Sequence, residues 1–236
     1  MKNTLSFTAV ICLFTIITLT GTSCKKNHTE TSSKTYTSTG FSQLVVGEKF
    51  EIVVTKAATW SITAIGDQQD LNDLVMDTSV PKYLEITYRT SKNNRSKMMV
   101  YITMPSLTAF YLHGQATANI SGFNNGPTLD GNVSSQAKCI LDVNLPHIEL
   151  YANAQAIIQV SGKAPQCHIT TTGQSNIQAY SLETDQAITK AGGQSHIYIH
   201  AHTKLYAEAS GQSTIHYRGT PNTNFIISGQ AKIVKE

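Results

Sequence analysis

A three-residue phrase recurs along the second half of the chain. It reads Gly114-Gln115-Ala116, Ser135-Gln136-Ala137, Ala154-Gln155-Ala156, Gly173-Gln174-Ser175, Gly193-Gln194-Ser195, Gly211-Gln212-Ser213 and Gly229-Gln230-Ala231. Successive glutamines are 21, 19, 19, 20, 18 and 18 residues apart, and a tiny residue flanks each on both sides. A near-constant period of about 20 is the mark of a solenoid, in which each repeat is one coil resting on the last. The chain must return to the same corner after every repeat, and few folds allow that.

Alignment on the glutamines gives columns. Three residues after each stand Ala118, Cys139, Ile158, Ile177, Ile197, Ile215 and Ile233. Five after stand Ile120, Leu141, Val160, Ala179, Ile199, Tyr217 and Lys235. The positions between are mixed. This alternation predicts a strand with one buried face. The same alternation precedes the glutamines, in Phe110 with Leu112, Ile148 with Leu150, Cys167 with Ile169 and Phe225 with Ile227. Each coil is therefore a strand, a tight corner, a second strand and a looser return with room for a third short strand. Rungs stacked about 4.8 Å apart leave little space for side chains at the corner. They also set Gln115, Gln136, Gln155, Gln174, Gln194, Gln212 and Gln230 in a line, as a structural ladder of amides.

Residues 40–106 read as a β-rich segment. Strands are expected at Phe50–Val54, Trp60–Ile65, Tyr83–Tyr88 and Met99–Met104, from their β-branched and aromatic content. Asp67 caps one short helix reaching towards Val75, with apolar residues at helical spacing. Ser91–Lys97 reads as an exposed hairpin loop. Nothing resembles a linker near 106, so 40–106 and 107–236 are expected to share one core. The N-terminal segment is placed over one end of the stack, and the polar tail Lys232–Glu236 blunts the other. The fold class is all-β: a β-helix-like solenoid of about seven coils behind a β-rich segment.

The chain opens with Met1-Lys2-Asn3, an apolar run from Leu5 to Leu19, and then Gly21-Thr22-Ser23-Cys24. The run is short for a membrane span. Small residues before a cysteine resemble a bacterial lipoprotein signal over 1–23, with Cys24 as the lipidated residue. The plainer alternative is an ordinary secretory leader or signal anchor in which Cys24 is incidental. Residues 24–39 are mostly Lys, Asn, Thr, Ser and Glu, the composition of a flexible tether. Cys139 and Cys167 alternate with apolar neighbours and read as buried thiols, a disulfide being the other reading.

These residues also resemble a known family. Its pattern is carried by Gly40-Phe41, Ile52-Val53-Val54, Thr63 to Asp67, Leu71 to Val75, Leu84-Glu85-Ile86, Val100 to Leu107, and the close Ile215-His216-Tyr217-Arg218-Gly219-Thr220-Pro221. The chain resembles the "putative auto-transporter adhesin, head GIN domain" family (DUF2807) from Gly40 to Glu236. The family phrase is Gly-Ser-Gly-Asp; here Gln replaces Ser, and the Asp column holds Thr117, Lys138, Ile157, Asn176, His196, Thr214 and Lys232. The resemblance implies a right-handed β-helix on an exported, often lipid-anchored protein, and brings no catalytic residues with it.

Chemistry is sparse. Charged residues are 14% of the chain against a usual ~25%, and the formal net charge is +3. From 107 onward seven Lys/Arg balance seven Asp/Glu. This excludes an electrostatic nucleic-acid binder. The acidic residues after 107 do not pair on neighbouring coils in this reading, so no catalytic residue is assigned and the protein is read as not an enzyme; a glycan-active β-helix enzyme is the weaker alternative. His196, His200, His202 and His216 share a face, but no carboxylate or cysteine completes a coordination sphere there, so no metal and no cofactor is assigned. The candidate binding face is Asn176, Gln178, His196, Tyr198 and His216, beside Gln159. The expected function is a non-enzymatic binding or adhesion module of the bacterial cell envelope, in the outer membrane, held by lipid on Cys24. Its partner is expected to be a glycan or an envelope protein; the alternative is a structural or sensory protein that binds another envelope protein.

Overall fold

The structure, a computed structural model, describes residues 31–236. The leader 1–23, Cys24 and the first residues of the tether lie outside the described residues. Within them are nineteen strands and one short helix. No helix among the described residues is long and apolar enough to cross a membrane.

The repeat region begins with β8 (Ala109–Leu112), β9 (Thr117–Asn124), β10 (Leu129–Val133), β11 (Lys138–Asn144), β12 (His147–Ala152), β13 (Ile157–Lys163) and β14 (Gln166–Thr171). It continues with β15 (Asn176–Ala191), β16 (His196–Ala209), β17 (Thr214–Arg218), β18 (Asn222–Ile227) and β19 (Lys232–Lys235). Every pairing among them is parallel and joins one coil to the next. Two faces result. The strands after each glutamine form face A (β9, β11, β13, the start of β15 and of β16, β17, β19). The strands before each glutamine form face B (β8, β10, β12, β14, the ends of β15 and β16, β18). The stack makes about six turns rather than seven, because seven corners bound six intervals. The return holds no third strand. In β15 and β16 it is a bend within one long strand, whose first part pairs on face A and whose second part pairs on face B.

The interior lies between the faces. The column three residues after each glutamine is buried from Ala118 to Ile215, and that five after from Ile120 to Ile199. Each buried Ile, Leu or Val side chain there contributes about 1.5–3 kcal/mol. On face B the interior side chains become smaller along the stack, from Phe110 and Leu112 to Ala187, Ala191, Ala207 and Ala209. Cys139 and Cys167 are buried free thiols.

The corners follow one recipe. The residue before each glutamine has positive φ, between +59° and +74°. Five of the seven are glycine, which reaches this region without steric penalty. A Cβ on Gly193 would lie 2.7 Å from the Gly173 carbonyl oxygen of the rung below, so conformation and crowding both select glycine. The small residue after each glutamine points inward. At Gln174, Gln194 and Gln212 it is serine, and its buried hydroxyl caps corner carbonyls: Ser175 Oγ donates to Thr172 O at 2.8 Å and Ser213 Oγ to Ser210 O at 2.8 Å. On the outer side all six glutamine steps carry a hydrogen bond, Nε2 donating to the next Oε1, from Gln115→Gln136 at 3.0 Å to Gln212→Gln230 at 3.2 Å.

The N-terminal segment continues the solenoid. Its elements are β1 (Thr31–Tyr36), β2 (Gln43–Val46), β3 (Phe50–Lys56), β4 (Ser61–Asp67), α1 (Gln68–Asp73), β5 (Leu74–Asp77), β6 (Tyr83–Tyr88) and β7 (Met98–Met104). Strands β2 and β3 pair parallel with β8 and β9, and turn at Glu48, which has φ +54°. They pair on their other side with β6 and β7. The end of the stack is then closed by antiparallel strands: β5 on β6, β4 on β7, and β1 on β4. Residues 31–36 are thus a strand and not the expected tether; β4 offers them a free backbone edge, which polar side chains do not prevent from pairing. The Asp67 carboxylate caps α1, accepting from the backbone of Gln69 at 2.7 Å. Residues 91–97 do not close a hairpin, because β6 and β7 lie on different faces. Arg95 in this loop is buried: it pairs with Asp70 and Asp73 and stacks 3.6 Å from the Tyr88 ring. At the other end the tail is itself the outer rung. Its lysines, Lys232 and Lys235, blunt that edge of β19, while Phe225, Ile226 and Ile227 of β18 remain exposed.

Candidate functional site

The five residues of the expected binding face lie on face A. Register aligns Asn176 with His196 and Gln178 with Tyr198, and Tyr198 in turn with His216. They divide into two groups. Asn176 and Gln178, joined by a 3.0 Å hydrogen bond, line a groove of about 660 Å³ bounded by Ile140, Ile157, Gln159, Val160, Ser161, Tyr180 and Ser181. A register break opens it. Gln159 pairs with Gln178 and Ser161 with Ser181, so two residues of β15 face Val160 alone. Such a bulge re-aims a side chain, and here Tyr180 and Ser181 both leave the interior.

The other three residues form an aromatic bank beside the groove. Tyr198 and His216 stack with ring centres 4.7 Å apart and 5° between planes. Tyr180 meets Tyr198 edge-on at 5.4 Å, and the Arg218 guanidinium sits 4.0 Å from the Tyr180 ring centre. His216 Nδ1 is 2.8 Å from Glu236 Oε1, and Arg218 Nη2 is 3.4 Å from Glu236 Oε2. The Tyr180 hydroxyl, then His216 and Arg218, hold the Glu236 carboxyl below its ordinary range. Burial, followed by the neighbouring Glu236 carboxylate, pushes the Tyr180 phenol well above its ordinary value. His216 and Tyr198 are therefore engaged with other side chains, while Asn176 and Gln178, bonded to each other, line the open groove. His200 and His202, expected with them, form a separate contact at 4.6 Å.

Face B holds residues that the sequence reading did not single out. Asp130, Glu149 and His168 are register partners on β10, β12 and β14. Contrary to expectation, acids do pair on neighbouring coils: Asp130 is the register partner of Glu149, and both stand six residues before their glutamines. Tyr111, Asn132, Tyr151 and Thr170 make the adjoining row. Together these rows line a cleft of about 320 Å³, in which the smaller Asn132 lies between Tyr111 and Tyr151. Burial, then the neighbouring Tyr83 phenol, pushes the Tyr111 phenol above its ordinary value. His147 reaches Glu149 from two residues away, 3.1 Å from its Oε1. The residue types stand in the columns four, six and eight residues before each glutamine, but which of them meet is set by the register of the stacked coils.

A family model described as "putative auto-transporter adhesin, head GIN domain" matches residues 40–221. Among solved structures, a "putative adhesin" from Bacteroides fragilis superposes with a TM-score of 0.79 at 18% identity, covering 88% of this chain and 97% of its own. A "putative adhesin" from Parabacteroides merdae gives 0.72 at 18%, over 89% and 97%. A "putative lipid binding protein" from Parabacteroides distasonis gives 0.70 at 15%, over 89% and 98%. At these identities the likeness is one of fold. No curated protein matches.

Proposed function

The chain belongs to the head GIN domain family of adhesin-like proteins, and on that premise we propose that it is a non-enzymatic binding module of the cell envelope. Family membership supports a cell-envelope or extracellular setting. The leader and Cys24 support export and lipid anchoring, in the outer membrane. The observation that carries the binding reading is the groove of face A. Its floor is rigid sheet, its polar groups are the amides of Gln159, Asn176 and Gln178 and the hydroxyls of Ser161 and Ser181, and one wall is the Tyr180 ring. An aromatic wall beside amide donors and acceptors fits a hydroxyl-rich chain, since pyranose C–H faces pack on rings and hydroxyls pair with amides. The ligand class is an envelope or host glycan.

A glycan array with the purified protein tests this. Retention of defined oligosaccharides, lost in Tyr180→Ala and in Gln178→Ala, supports the reading. An array without retention, together with specific capture of one envelope protein, overturns it in favour of a protein partner. Anchoring has its own test: Cys24→Ser releases the protein to the soluble fraction, and unchanged membrane association refutes the lipid.

A further inference from the structure

We propose that His147, Glu149 and His168 on face B form a binding site for a first-row divalent metal ion, with zinc as its representative. His147 and Glu149 stand two residues apart on β12 and so project from the same side of the strand. His168 on β14 is the register partner of Glu149. One ligand atom from each lies within 4.8 Å of the other two. Both imidazoles converge on the same oxygen: His147 Nε2 is 3.1 Å and His168 Nδ1 is 3.7 Å from Glu149 Oε1. Tetrahedral zinc with bonds of about 2.0–2.1 Å holds its donors about 3.4 Å apart. The two separations bracket that value, and the rings already sit edge-to-face at 4.8 Å.

The donor set is suited to such an ion. Two imidazoles and one carboxylate leave one or more coordination positions for solvent or ligand. Glu149 has no Lys or Arg partner among the described ion pairs, so its charge is not already neutralised by a cation. The side chains of Glu149 and His168 are 55% and 45% exposed, whereas that of His147 is 18% exposed. An ion can thus enter from solvent onto one donor already held by packing. Asp130, the partner of Glu149 on β10, adds negative charge at the same cleft. Glu149 and His168 also line the cleft of Tyr111, Asn132 and Tyr151, so a metal held there presents its open positions to it. The site does not depend on the glycan reading, which concerns the opposite face.

Metal-stripped protein titrated with Zn²⁺ in a calorimeter tests the proposal. One equivalent binds saturably, and metal raises the melting temperature. His147→Ala, His168→Ala and Glu149→Gln each weaken binding by at least the roughly 10–100-fold that loss of a mere supporting partner costs a metal site. The double variant His200→Ala/His202→Ala leaves the affinity unchanged. None of the three ligands belongs to the interior between the faces, so their variants remain folded, as circular dichroism checks, and affinity is read on folded protein. X-ray absorption of the loaded protein shows two imidazole nitrogens and a carboxylate oxygen. Absence of saturable uptake at micromolar zinc overturns the proposal. So does uptake that survives His147→Ala with His168→Ala, or that vanishes with the His200/His202 variant.

Discussion

Gln174→Leu tests what the recurring glutamine does. Gln174 stands fourth of seven; its Nε2 donates to Gln194 Oε1 at 3.0 Å and its Oε1 accepts from Gln155 Nε2 at 3.4 Å. Leucine keeps the bulk and removes both bonds. A protein hydrogen bond contributes about 0.5–1.5 kcal/mol net. These amides are exposed, so the released Gln155 and Gln194 groups turn to water, and the lower half of that range applies. The expected loss is about 1–2 kcal/mol, or roughly 2–8 °C in melting temperature for a chain of this size. Gln230 accepts one bond only, from Gln212 at 3.2 Å, so Gln230→Leu should cost about half as much. Gln155→Leu with Gln174→Leu removes three bonds where the single variants together remove four, which leaves a coupling of about one bond. Urea unfolding followed by circular dichroism measures all of these, with the slope m required to stay constant. Equal effects at Gln174 and Gln230, or none at either, would show that the ladder is surface geometry without stabilising weight.

Other consequences are separately measurable. Gly193→Ala places a side chain at φ +74° with its Cβ 2.7 Å from Gly173 O; the left-handed conformation alone costs about 1–2 kcal/mol, so the total loss in urea should exceed that, whereas Ala154→Gly should not destabilise. Thr90, with Arg95, holds the Asp73 carboxyl below its ordinary range, and the Ser79 backbone does the same for Asp77. A carboxyl whose folded value is depressed contributes stability above the ordinary value of about 3.9, which is lost as pH falls through the folded one. Fluorescence of the single tryptophan, Trp60, should therefore report loosening of the N-terminal end below about pH 4, and Asp73→Asn should flatten that dependence. Burial pushes the Cys167 thiol up to about 11 and that of Cys139 further still. Site-resolved alkylation at mildly alkaline pH should modify neither until the protein is unfolded; labelling of Cys167 in folded protein would contradict its burial.

The solenoid is legible in the amino-acid sequence alone. A polar residue between two tiny ones, seven times at one period, fixes where the chain turns, and alternation on either side fixes which side chains go inward. Both are local properties, legible because a strand repeats every two residues and a coil every twenty or so. The buried Ile column from Ile158 to Ile215 and the buried Cys139 and Cys167 could be read in that way. The helix after Asp67 was legible too, from its cap, but it stops at Asp73 instead of reaching Val75, because Leu74–Asp77 pairs with β6 as strand β5.

Whatever depends on pairing between distant segments is visible only in the folded chain. Backbone edges pair without regard to side-chain polarity, so nothing in Thr31–Tyr36 announced β1, and nothing in β2 announced that it lies between β6 and β8. Arg95 looked like a loop residue because its partners, Asp70 and Asp73, are more than twenty positions away. The groove at Tyr180 depends on one extra residue in β15, visible only against its neighbour β13. The glutamine phrase fixed a corner; the chemistry that attaches to it, His147 and Glu149 converging with His168, appeared only when the coils were stacked in register. Proximity across a sheet is set by which residues face one another, and a linear sequence does not carry that until the register is known.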